Sequence, residues 1–124
     1  MNVDFLDSGS EACPLIRLHG FAAAEATKLR AVISSLAARI TSSIALEDVG
    51  LIRAGGCRLF LLAAEHDAGV LRRAGTDDFE CALTPERWDD IAALIEPFAS
   101  GATGFQWLDT TSDVKWLLSA DGGW

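Results

Sequence analysis

Apolar residues recur at helical spacing in two stretches of the chain. Between Ala22 and Ile40 they fall three and four positions apart on one stripe, and the charged residues fall largely off it. The second stretch opens with Thr84-Pro85-Glu86, in which threonine suits the N-cap and proline the first helical position. These patterns predict two helices, the second ending at Ser100-Gly101. The expected buried stripes are Leu29, Val32, Ile33, Leu36, Ala37 and Ile40, and then Trp88, Ile91, Leu94, Ile95 and Phe98.

Alternating or continuously apolar runs predict strands at residues 13–21, 43–53, 57–65, 70–83 (with a break near Gly75), 105–108 and 114–119. Glycines in Ala54-Gly55-Gly56 favour a turn there, which would make region 43–83 a three-stranded meander. The run at 57–65 is apolar on both faces, which is typical of a central strand covered on each side. On that interpretation we expect Phe60→Ala to destabilise the fold by ~3–5 kcal/mol.

The predicted order is β-α-β-β-β-α-β-β, within one domain spanning residues 1–124. We expect residues 1–12 to be a loose N-terminal arm or a short edge strand, and we find no internal repeat. This order favours an α+β two-layer sandwich, in which two helices pack on one face of a mostly antiparallel sheet. A variant of the ferredoxin-like arrangement is one version of such a fold.

Charge narrows the range of partners. The chain has 18 acidic and 10 basic residues, a net charge of −8. A phosphate backbone is therefore a poor partner, and we expect no nucleic-acid binding. No apolar run approaches the ~20 residues that span a bilayer, and the first residues lack the basic start of a secretory signal. We expect a cytoplasmic protein that does not bind membranes.

The sequence lacks several common catalytic and ligand-binding motifs. The three cysteines, Cys13, Cys57 and Cys81, are too widely spaced for a zinc knuckle and are expected to be reduced. Phosphate-binding loops, nucleophile elbows and metalloprotease helices are also absent. We therefore expect no cofactor, no metal and no catalytic residue.

Two places remain open as candidate sites. Glu65-His66-Asp67 sets three acid–base or metal-binding groups side by side, but the segment falls at a predicted turn, which favours a solvated role. His19 ends a predicted strand, and no spacing in the chain supplies the orienting carboxylate and the nucleophile that a catalytic role would need, which favours a structural or surface histidine.

The densest charge lies in the last third of the chain. Residues 77–124 hold ten acids and two bases, and the four tryptophans lie there as well. Helical spacing gathers Glu86, Asp89 and Asp90 on one side of the second helix. A terminal tryptophan either folds back or anchors another chain. The predicted partner-binding residues are Asp77, Asp78, Glu86, Asp89, Asp90 and Trp124, on condition that Arg53, Arg58, Arg72 and Arg73 do not neutralise the carboxylates.

These observations favour a non-catalytic protein-interaction module that binds a basic protein. In size and charge alone it is similar to immunity proteins that inhibit basic toxins and to secretion chaperones. The first alternative is a homodimeric domain that binds a small ligand or acts as a sensor. The second is an enzyme with a dispersed site involving His19, His66 or Asp109.

Overall fold

The computed structural model describes residues 1–50 and 57–124, and in these residues it forms eight strands and two helices. In chain order the elements are β1 (Asn2–Leu6), β2 (Leu15–His19), α1 (Ala23–Ala37), β3 (Ser43–Ala45), β4 (Arg58–Ala63), β5 (Gly69–Arg72), β6 (Asp78–Leu83), α2 (Pro85–Ala99), β7 (Phe105–Asp109) and β8 (Lys115–Ser119). A short 3-10 helix, Leu46–Val49, follows β3. The turn predicted at Ala54-Gly55-Gly56, and the strand prediction for 51–53, lie outside the described residues.

The predicted class, a mostly antiparallel α+β fold with two helices, is confirmed. The strands form two sheets rather than one, with the orders β1-β2-β8-β7 and β3-β4-β6-β5. Each sheet has a parallel central pair, flanked on both sides by antiparallel strands. Region 43–83 is therefore not a meander, because β4 pairs in parallel with β6 and β5 lies beyond β6. This strand order also differs from that of a ferredoxin-like sheet.

The order of elements repeats along the chain. Residues 2–63 and residues 69–119 each contain the succession ββαββ. Each half gives its first two strands to one sheet and its last two to the other. Both helices bury their fourth, seventh, eleventh and fourteenth residues. The fold is thus internally two-fold in its topology, which the residue identities do not reveal.

The first helix ends earlier than its apolar pattern predicts. Arg39 adopts a positive φ of 61°, and its N–H bonds to the carbonyl of Leu36 while that of Ile40 bonds to Ser35. These two bonds form the Schellman motif that terminates helices. Ile40 consequently lies beyond the helix and is 79% exposed, so its predicted place in the buried stripe is wrong.

The two faces of β4 differ from the prediction of a doubly covered strand. Leu59 and Leu61 point into the core, whereas Phe60 is half-buried on the outer face. There the guanidinium groups of Arg58 and Arg73 lie 4.8 and 3.9 Å from the centre of the Phe60 ring. The outer face is therefore covered by arginine side chains instead of a second layer.

Residues 2–6 form an edge strand. β1 pairs antiparallel with β2 in a register that sets Asp4 opposite Arg17. Its inward residue Phe5 contacts Phe79 of the other sheet, with ring centres 4.7 Å apart and ring planes tilted by 34°. This contact joins the two sheets across the core.

Candidate functional site

The outer side of α2 is the most acidic surface that the prediction identified. Thr84 caps the helix by accepting a hydrogen bond from the Arg87 N–H at 3.3 Å. The helix buries its Trp88 side, which leaves its acidic residues on the solvent side. Glu86, Asp89, Asp90 and Glu96 are all exposed there.

Arg87, the single basic residue of α2, contacts one buried and one exposed carboxylate. The Arg87 guanidinium lies 3.8 Å from Asp109, whose side chain is fully buried, and equally far from the exposed Asp90. Arg87 is thus shared between the buried Asp109 and the exposed Asp90, and its attraction to the buried carboxylate is the less screened of the two. The carboxylates on the outer face of α2 are therefore left largely without a base from their own helix.

Two acidic residues near the start of β6 are paired with arginines, which the prediction did not expect. Arg73 donates a hydrogen bond to Glu80 at 3.0 Å, and Arg72 lies 3.7 Å from Asp77. The expectation that the chain's own arginines do not neutralise these carboxylates is wrong here. Arg58 pairs with Glu47 instead, and Arg53 lies outside the described residues. Glu86 also has a partner, Arg39, at 3.7 Å between two largely exposed groups.

The predicted partner-binding residues lie in three parts of the fold. Asp77 and Asp78 lie at the start of β6 beside the paired arginines, while Glu86, Asp89 and Asp90 lie on α2. Trp124 folds back over Arg17, with 5.6 Å between the guanidinium carbon and the ring centre, and is still 43% exposed.

A polar cluster missed by the sequence analysis lies beneath Trp124. Asp4 accepts a hydrogen bond from Arg17 at 2.6 Å and contacts His19 Nε2 at 2.8 Å. Burial alone would raise the pKa of Asp4, but the Arg17 hydrogen bond and the His19 charge outweigh it and lower that pKa. One signal in the sequence could have revealed this cluster. Asp4 alternates with apolar residues in 2–6, and residues 15–19, which pair with that strand, show a similar alternation. His19 is thus a paired histidine on a sheet surface.

The last residues are fastened to the same surface. Arg17 donates to the carbonyl of Gly122 at 2.6 Å. The Ser119 hydroxyl donates to the carbonyl of Gly123 at 2.7 Å and accepts from the Gly122 N–H at 2.9 Å. These bonds hold the segment across the outer face of β2 and β8.

The segment Glu65-His66-Asp67 is an exposed turn. Asp67 has a local structural role, since its carboxylate accepts a hydrogen bond from the Thr84 N–H at 2.8 Å, just before α2. Glu65 lines a cavity beside the start of α2. Within the described ranges, no group of three or more histidines, cysteines and acids is arranged to hold a metal ion.

Asp109 is buried and hydrogen-bonded within the turn that follows β7. Its carboxylate accepts bonds from the Thr111 hydroxyl at 2.7 Å and the Thr111 N–H at 3.2 Å. Gly69 packs so closely that a Cβ there would lie 2.9 Å from the Ser112 nitrogen. No hydrogen bond or ion pair in residues 1–50 and 57–124 joins Asp109 to His19 or His66.

The cysteine thiols of the core are poorly suited to chemistry. Burial raises the pKa of Cys81 well above its usual value, and the charge of Asp109 adds to the effect. Burial likewise raises the pKa of Cys57, with a further contribution from Asp4. Thiolates are the reactive form, so both thiols are held in the unreactive one. Cys13 is free and partly exposed.

No protein-family model, no curated protein and no solved structure matches the chain. In the part of the chain that the structure describes, neither helix has the length and apolar content needed to cross a bilayer.

Proposed function

We propose that this protein is a non-catalytic interaction module that binds a basic protein through the outer face of α2. The observation that carries the proposal is the position of Arg87 between the buried Asp109 and the helix surface. With that base engaged, four exposed carboxylates face solvent along one helix: Glu86, Asp89, Asp90 and Glu96.

The proposed binding surface includes fewer acidic residues than the sequence predicted. Glu80 is paired with Arg73, and Asp77 and Glu86 each lie 3.7 Å from an arginine of the chain, so these three carboxylates contribute less field than unpaired ones. Asp89 and Glu96 have no ion pair among the described residues. A partner with a cluster of lysine or arginine side chains matches this face, and complementary fields raise association rates and reject wrong partners.

A pull-down with charge-reversed bait tests the proposal. Asp89→Lys/Asp90→Lys reverses charge on α2, and Asp7→Lys/Glu11→Lys makes the same change at exposed acids elsewhere. We expect the wild type and the control to capture a basic protein that the α2 variant loses. Titration of the purified partner should show affinity falling steeply with salt. Equal capture by all three baits would contradict the proposal.

Self-association is a second candidate, supported by one observation. Phe105 and Trp124 are 48% and 43% exposed on the outer side of the β1-β2-β8-β7 sheet. Aromatic residues are preferred anchors at interfaces. Light scattering at micromolar concentrations that shows monomers alone would remove this candidate.

A further inference from the structure

A two-lobed groove lies where α1 ends and α2 begins. One lobe has a volume of about 500 Å³ and reaches toward the end of β4. The other, of about 360 Å³, runs along the last turn of α1. Both lobes share Arg39, Pro85 and Glu86, so Arg39 marks the place where they meet.

The lining of the groove combines small apolar residues with carboxylates. Ala63, Ala64 and Pro85 line the first lobe, and Ala37, Ala38 and Pro85 line the second. Glu65, Glu86 and Asp89 supply three negative charges, against the one positive charge of Arg39. Such a lining suits a side chain with an aliphatic stem and a cationic head, because the stem covers apolar surface while the head meets carboxylates.

The helix ends do not reverse this preference. The start of α2 carries a partial positive charge of about half a unit, and the end of α1 a partial negative charge of similar size. Both border the groove, so the two contributions largely cancel. The side-chain charges therefore decide the sign of the field, which is negative.

Arg39 already places a guanidinium group in this field. It lies 3.7 Å from Glu86, and the two side chains are 72% and 77% exposed. Exposed pairs of this kind contribute little to stability, so another cation can replace Arg39 easily. The residue also occupies the left-handed position after α1, with φ of 61°, where glycine is the favoured residue. The chain thus keeps a cationic side chain at a position whose backbone disfavours it.

We propose that the groove receives a lysine or arginine side chain of the protein partner, and that Arg39 is the chain's own occupant, which the partner's side chain displaces. The inference rests on the proposed function, since the groove adjoins the acidic face of α2 and shares Glu86 and Asp89 with it. It adds that the partner's side chain binds in the groove and that Arg39 competes with it there.

The test titrates acetylated, amidated tetra-arginine into the isotope-labelled full chain at low ionic strength and follows backbone amide shifts. Shifts are expected first at Ala63, Ala64 and Glu65. Arg39→Gly removes the competing side chain and suits the backbone, and should bind the peptide at least about threefold more tightly than the wild type. Glu65→Gln should bind it about threefold more weakly.

Arg30→Ala is the matched control. Arg30 is exposed on α1 and lines neither lobe, and its loss changes the net charge as the loss of Arg39 does. If Arg39→Gly binds no more tightly than Arg30→Ala, the inference is overturned. Spermidine binding more tightly than the peptide would overturn the assignment to a protein segment.

The two proposals fail in different ways. If Asp89→Lys/Asp90→Lys abolishes binding while Arg39→Gly and Glu65→Gln leave it unchanged, the acidic face binds the partner and the groove does not. If the α2 double variant binds as the wild type does, the proposed function itself is wrong. Melting temperatures of all variants establish that each is folded.

Discussion

Neighbouring residues of β4 should respond very differently to truncation. Leu61 is fully buried, so Leu61→Ala removes apolar contacts and leaves a cavity, at a cost of about 3–4 kcal/mol. Phe60 is half-buried beneath two guanidinium groups at 3.9 and 4.8 Å. Its truncation loses about 1 kcal/mol of apolar burial and about 0.5–1 kcal/mol for the closer cation–π contact. The expected cost of Phe60→Ala is therefore about 2 kcal/mol, below the value that the sequence implied.

Urea unfolding measured by circular dichroism gives both values on one scale. With a slope of about 1.5 kcal/mol/M, Leu61→Ala should lower the midpoint by about 2 M, and Phe60→Ala by about 1 M. Phe60→Leu serves as the control, since it keeps most of the apolar area and removes only the aromatic face. A Phe60→Ala variant as destabilised as Leu61→Ala would refute the outward orientation of Phe60 and the arginine cover.

Three further predictions concern local features. Arg39→Gly should raise the free energy of unfolding by about 0.5–1 kcal/mol, because glycine adopts a positive φ without a side-chain penalty; a lower melting temperature would contradict this. Native protein should react with one equivalent of a thiol reagent at Cys13, while Cys57 and Cys81 react only on unfolding; rapid labelling of either core thiol would refute this. Asp4 has a lowered pKa in the fold, so its stabilising contribution is present above the unfolded value near 3.8 and is lost as the pH falls through the folded value. Asp4→Asn should therefore flatten the acid side of the stability–pH curve, and an unchanged curve would contradict the Asp4 contribution.

Local signals in the sequence predicted the helices well. Thr84-Pro85 begins α2 where its capping chemistry requires, and the stripe of Trp88, Ile91, Ile95 and Phe98 is buried. Ile40 was mistaken for a member of the α1 stripe because periodicity does not register a Schellman motif that uses arginine in place of glycine. Only the backbone conformation of Arg39 reveals where that helix stops.

Strand pairing and the candidate site depend on contacts between distant residues. β2 pairs with β8, which is distant in the sequence, and β4 pairs with β6 although β5 lies between them in the sequence. No local pattern therefore identifies either pair. The same reason hides the groove, because Arg39 and Glu86 meet only when α1 and α2 pack together. The acidic surface was partly predictable, since helical spacing fixes the neighbours of Asp89. The pairing of Asp77 and Glu80 with Arg72 and Arg73 could not be predicted, because it depends on the register of the β5–β6 hairpin.

The repeated ββαββ order has a consequence for how the chain can be divided. The central pairs β2–β8 and β4–β6 each join strands from different halves. A cut in the 64–68 turn would leave each fragment with one helix and two separate two-stranded ribbons, which are marginal in water. Neither fragment should hold its shape alone. Mixed together, the two contain every ladder of the intact molecule, so they should reassemble by fragment complementation instead of behaving as two autonomous units.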